Sequence, residues 1–214
     1  MKSRKQLLAV FVTLLLCSAT FIGGCATTGL DRSVKTSDSI QEVESEIKNV
    51  IVQIDATSLS LDSLVSPENA DLKKTFTTYS DNLKNLDDDG QRLIKRMDEM
   101  KTNSKEYFEE WNAKGVAYKN PQISTLSEER RGKLAAIYAR VPAAGAGVKS
   151  TYLAYLSNMK EIQSYLSNDL TPKGIETITP VAQKNIADKS ALNASLQTVL
   201  TALGEIKSEL YSGN

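Results

Sequence analysis

The chain of 214 residues contains no histidine. That removes the commonest general base and the commonest metal ligand, and with them most familiar hydrolase and metal-site arrangements. Cysteine is nearly absent: Cys17 and Cys25 are the two, both near the start, so the body holds no thiol for a disulfide. Aromatic residues make up only 6%. No sign of charge dominates, with 26 bases against 26 acids. Such a balance argues against a nucleic-acid binder, which needs a clustered basic face. A membrane-spanning helix needs about 20 consecutive apolar residues; the stretch from Leu7 to Leu16 is broken at Thr13 and beyond it by Cys17, Ser18 and Thr20. No segment alternates apolar and polar residues as a half-buried strand does.

What is present begins at the N-terminus. Lys2, Arg4 and Lys5 precede the apolar run, which closes on Ile22-Gly23-Gly24-Cys25. This is the layout of a bacterial lipoprotein signal, in which small residues precede a cysteine that becomes the lipidated first residue. The expectation is a signal peptide over residues 1–24 and lipidation of Cys25. The thiol takes the diacylglyceryl group, and each buried methylene adds about 0.8 kcal/mol of membrane affinity. Ala26 follows the cysteine where an acid would retain the protein elsewhere. The expected location is therefore the outer membrane, with the body facing the periplasm. Removing residues 1–24 takes three bases away, leaving 23 against 26 acids, a net charge of −3. Residues 25–37 read as a lipidated N-terminus and flexible tether, and 38–212 as the folded domain.

From Ile40 onward apolar residues step by three and four. The first seam runs Ile40, Val43, Ile47, Val50, Ile54, Thr57, Leu61 and Leu64, broken only by Thr57. Ser66-Pro67 marks a turn and restart. The second seam is the longest, from Leu72 through Leu83, Gly90, Met100, Tyr107 and Trp111 to Tyr118, stopped by Asn120-Pro121. At near fifty residues it would reach about 75 Å. A third begins near Thr125 or Ser127, where Thr125 and Glu128 have capping-box spacing, and runs from Leu134 to Leu166. A break is expected at Pro142, Gly145 and Gly147. Thr171-Pro172 starts the last seam, Ile175 to Leu210, with Pro180 expected to bend or split its first turns. Each segment alone would expose an apolar stripe, so the four must fold back on one another. The fold class is all-α: an elongated antiparallel bundle or coiled coil of about four segments. Unfilled seam positions leave a homo-oligomer open.

The candidate motifs weigh mostly toward packing. Asp87-Asp88-Asp89-Gly90 lacks the alternating acids and distal glutamate of a calcium loop, and Gly90 falls on the seam, so the acids face water beside a close helix crossing. Glu109 and Glu110 are sequence neighbours, which on a helix do not face each other. Glu128-Glu129-Arg130-Arg131 reads as a charged first turn. Gly145-Ala146-Gly147 follows no strand and is too short for a phosphate loop. Tyr107, Phe108, Trp111 and Tyr118 form the main aromatic cluster. Packing at a helix end is its leading reading, and contact with a ligand or partner its alternative. Tyr152, Tyr155 and Tyr165 form a second cluster whose hydroxyls need partners, so some of them are expected to point outward. No catalytic residue, metal site or cofactor is expected.

Over about residues 70–210 the chain resembles an uncharacterised bacterial lipoprotein family catalogued as domain of unknown function 2959. The resemblance rests on Phe108-Glu109-Glu110-Trp111 with Tyr118, then Leu126-Ser127, Arg130, Leu134 and Tyr138, and Met159 to Leu170. It implies a helical coiled coil located in the envelope and transfers no catalytic residues. The leading functional expectation is a non-enzymatic, lipid-anchored envelope protein whose body acts as a spacer or docks envelope proteins. The alternative is a module holding a lipid, glycan or small molecule in a cleft near Trp111.

Overall fold

The computed structural model describes residues 28–66, 71–115 and 118–211; the expected signal and Cys25 lie outside them. Among the described residues there are six helices and no strand: α1 (Gly29–Val65), α2 (Leu72–Gly115), α3 (Pro121–Tyr138), α4 (Arg140–Ala144), α5 (Val148–Asn168) and α6 (Pro172–Tyr211). They form four antiparallel columns, the third being α3, α4 and α5 in series. α1 packs on α2 and α6, and the third column packs on the same two helices. The expected all-α bundle is therefore observed. At 44 residues, α2 is about 66 Å long at 1.5 Å per residue, shorter than the seam suggested because the described helix stops at Gly115.

The seams build one core. Ile40, Val50, Ile54, Leu61, Leu64, Tyr79, Leu86, Leu134, Met159, Leu166, Leu192 and Leu203 are fully buried and belong to a single cluster. Thr57, the flaw in the first seam, is also fully buried. Its hydroxyl donates to Gln53 O at 2.7 Å and to Asn82 O at 3.2 Å. A polar side chain is tolerated there because its hydrogen is bonded, and the second bond crosses from α1 to α2. Gly90 serves a close crossing: a Cβ there would lie 1.9 Å from the Tyr152 hydroxyl oxygen. The missing side chain lets Tyr152 lie against α2 and donate to Leu86 O at 2.7 Å.

Helix starts depart from expectation in three places. α1 begins at Gly29, so residues 29–37, expected as flexible tether, are helical. Thr28 and Asp31 form a reciprocal cap: Thr28 N donates to Asp31 Oδ2 at 2.8 Å and Asp31 N to Thr28 Oγ1 at 3.2 Å. α2 starts after Asp71, whose Oδ1 accepts from Lys74 N at 3.0 Å, whereas Pro67 lies outside the described residues. α3 begins at Pro121 rather than near Thr125. Asn120 Oδ1 accepts from Gln122 N at 2.9 Å and proline occupies the first helical position, so the dipeptide expected to stop the second segment starts the third column instead. Thr125 instead donates back to Pro121 O at 3.0 Å.

The break near Pro142 is present. α3 ends at Tyr138, α4 is one short turn, and Gly147 adopts φ 81° before α5. That left-handed conformation suits glycine. Thr171 caps α6 as expected, accepting from Gly174 N at 3.0 Å. α6 runs through Pro180 without splitting. The proline is exposed, so its missing N–H falls away from the packed face of the helix.

Candidate functional site

The start of α1, the end of α2 and the start of α3 meet at one end of the bundle, and the last turns of α6 pack a few turns further along α1 and α3. Ion pairs hold them together. Arg32 lies 3.3 Å from Glu110 and Lys35 3.3 Å from Glu106. Lys207 reaches Glu44 at 2.8 Å. Glu209 receives both Arg130 and Lys133, the latter at 3.0 Å. Lys133 and Arg130 hold the Glu209 carboxyl below the ordinary glutamate range. The lysine pair of Glu44, led by Lys207, lowers that group likewise.

Aromatic rings line this end. Trp111, Tyr107, Phe108 and Tyr138 form a chain of edge-to-face contacts. Their centroid separations are 5.5 Å for Tyr107–Trp111, 5.2 Å for Tyr107–Phe108 and 5.3 Å for Phe108–Tyr138. Such T-shaped pairs add about 0.5–1.5 kcal/mol each beyond their area. Trp111 Nε1 donates to Ser127 Oγ at 2.9 Å, tying α2 to α3. Tyr107 is buried, and that burial raises its hydroxyl pKa against the opposing pull of Arg130 and Arg32.

Of the four aromatics singled out from sequence, Tyr107, Trp111 and Tyr118 share the wall of an open cleft of about 600 Å³ between α1, α2 and α3. Phe108 is not in that wall and packs toward Tyr138 and the core. Sequence reasoning missed the remainder of the site. Ile123 and Leu126 from α3 complete the apolar wall, and Arg32, Lys114 and Arg130 supply its charges. Leu126 is 65% exposed, Ile123 48% and Tyr118 45%, and Leu30 on the first turn of α1 is 72% exposed. The overlooked signals were Thr28-x-x-Asp31 and Asn120-Pro121. Read as helix starts, they would have drawn Leu30, Ile123 and Leu126 onto helix ends.

The remaining motifs are engaged at the surface. Asp87 accepts Lys160 at 2.8 Å, Asp88 accepts Lys84 at 3.0 Å, and Asp89 pairs with Arg92. Each acid of that run has its own cation rather than a shared centre. Glu109 reaches Lys105 at 3.7 Å while Glu110 turns to Arg32. Glu128 to Arg131 lie well inside α3 rather than in its first turn, and Arg131 bonds Asn112. In the second tyrosine cluster, Tyr152 and Tyr155 point inward. The Tyr155 hydroxyl lies 2.7 Å from Ser58 Oγ, while Tyr165 is half-buried.

Fold and site together define an elongated antiparallel helical bundle with an aromatic cleft at the end where its first helix begins. A family model described as protein of unknown function (DUF2959) matches residues 28–204. The chain belongs to that family. No curated protein and no solved structure matches it.

Proposed function

We propose that this protein is a lipid-anchored component of the bacterial envelope, non-enzymatic, whose helical body is a rigid spacer and docking scaffold. The observation that carries the reading is the position of the first helix. Thr28 caps α1 only three residues after Cys25, so an acyl chain on that thiol would be joined to a bundle some 66 Å long with almost no slack. One apolar core continuous through all four columns supports stiffness, and the ion pairs that link the columns support a scaffold. The proposed site is the outer membrane, facing the periplasm. Cys25→Ser tests the anchor. Palmitate labelling and membrane fractionation of the wild type, both lost in the variant, are the expected result; unchanged labelling removes it. Crosslinking in cells followed by mass spectrometry tests the scaffold, through recovery of the same envelope proteins from independent positions along the body.

A second reading is favoured by the cleft itself. Tyr107, Trp111 and Tyr118 around an open apolar wall suit a small amphiphile or glycan. Trp111 is the single tryptophan, so a change in its emission on titration with muropeptides or short-chain lipids would support that reading.

A further inference from the structure

We infer that the cleft end of the bundle is a bilayer seat, in which Leu30, Tyr118, Ile123 and Leu126 enter the membrane interface and hold the bundle upright. The inference rests on the proposed acylation of Cys25 and adds a surface to it. Three residues from Cys25 to Thr28 span at most about 10 Å, so an anchored thiol brings the start of α1 to the lipid headgroups. The residues gathered at that same end are unusual for a water-facing surface. Among the described residues, five of the nine large apolar side chains that are substantially exposed, Leu30, Val34, Tyr118, Ile123 and Leu126, lie there. They come from two helix starts and the segment joining α2 to α3, brought together only by the fold.

The chemistry of the cleft is that of an interface rather than of a charged patch. Trp111 and Tyr118 have amphipathic rings that favour the headgroup level of a bilayer. Among the described residues Arg32, Lys114 and Arg130 line the cleft and no acid does, though Glu110 and Glu209 pair with them from just outside. The cations can therefore meet phosphates without forming a polybasic site, and contact is dominated by apolar area. Acyl chains supply the affinity, and the rim supplies orientation. A seat at the end of the columns sets their axis away from the membrane and projects the body into the periplasm.

The test uses the full-length protein purified in detergent and returned to phosphatidylethanolamine–phosphatidylglycerol vesicles whose acyl chains carry bromine. Intact mass first reports whether Cys25 is acylated. Trp111 emission is then expected to be quenched by the brominated chains, and Ile123→Gln with Leu126→Gln to lose most of that quenching while keeping acylation, helicity and melting temperature. Leu59→Gln, an exposed residue remote from the cleft, is the control that retains it. Acylated protein with unquenched Trp111 overturns the seat and leaves the anchor standing. Quenching unaltered by the double substitution also overturns it, as does burial of the rim between two copies of the chain with Trp111 shielded from lipid. A polypeptide without acyl chains that stays free of vesicles overturns anchor and seat together.

Discussion

Single side chains decide how closely the columns approach, and Gly90 and the buried tyrosines carry most of that work. Alanine at a helical glycine normally gains about 0.5–1 kcal/mol. At Gly90 the new Cβ would meet the Tyr152 hydroxyl and ring at 1.9 to 2.5 Å, and overpacking of this kind costs about 1–3 kcal/mol. The expected net result for Gly90→Ala is a loss of stability, read as a lower denaturant midpoint. Gly90→Ala combined with Tyr152→Ala should lose less than the two single changes together. Burial also raises the hydroxyl pKa of Tyr79 and Tyr152 above the ordinary value and pushes Tyr155 up to about 12. The unfolded chain ionises its tyrosines near pH 10, where the folded one still holds these protons. Their contribution is complete below that pH and declines as pH rises past about 10, that of Tyr155 being lost through about 12. Unfolding midpoints measured across that range should fall, with tyrosinate absorbance rising in step with loss of helicity. In Tyr155→Phe the alkaline fall should be shallower, and stability at neutral pH about 1 kcal/mol lower because the Ser58 bond is gone.

Among the elements, the seams, the break near Pro142 and the Thr171 cap were legible, while the starts of the first three helices were not, for one physical reason. A seam repeats its signal every three or four residues, so one exception such as Thr57 does not hide it. A helix start rests on two or three residues, and Thr28-Gly29-Leu30-Asp31 sits in a small, polar stretch with no apolar period to draw attention to it. Asn120-Pro121 was read as a stop because proline cannot continue a helix, yet the described α2 already stops at Gly115 and the ring is suited to the first position of α3. The site was half legible on the same grounds. Tyr107, Trp111 and Tyr118 stood out by composition, while Ile123 and Leu126 gained meaning only once α3 was known to begin at Pro121. Pro180 shows how exposure overrides a local rule, since the proline lies on the outer side of α6. The cap on α1 gives a measurable consequence. Thr28→Ala removes half of the reciprocal bond with Asp31, and loss of such a cap costs about 1 kcal/mol. Because the first turn is exposed, the effect should stay local: faster amide exchange over residues 29–32, with little change in the melting temperature.

For the whole molecule, two sets of forces run along the columns, and their sizes differ. Ion pairs stitch every adjacent pair of columns: Arg96–Glu42 at 3.1 Å, Lys189–Asp55 at 3.3 Å, Arg140–Glu205 at 2.6 Å and Lys160–Asp87 at 2.8 Å. Most of these side chains are a third to a half exposed, where a pair contributes about 0–1 kcal/mol and salt screens it. The core is a single cluster drawn from all four columns, so no helix can leave without uncovering its neighbours. Raising salt from about 0.1 to 1 M should therefore shift the melting temperature by only a few degrees. Leu83, 2% exposed in α2, tests the other term. Leu83→Asp buries a charge with no partner, a change in the class that costs more than about 4 kcal/mol. For a chain of this size that is a fall in melting temperature of roughly 10 °C or more, and it should be one transition for the entire bundle. Circular dichroism and Trp111 emission, reporting on all helices and on the cleft end respectively, should then melt together in wild type and variant alike. Separate transitions would mean that the cleft end unfolds as its own unit, and the stiffness on which a spacer depends would not extend to the surface nearest the anchor.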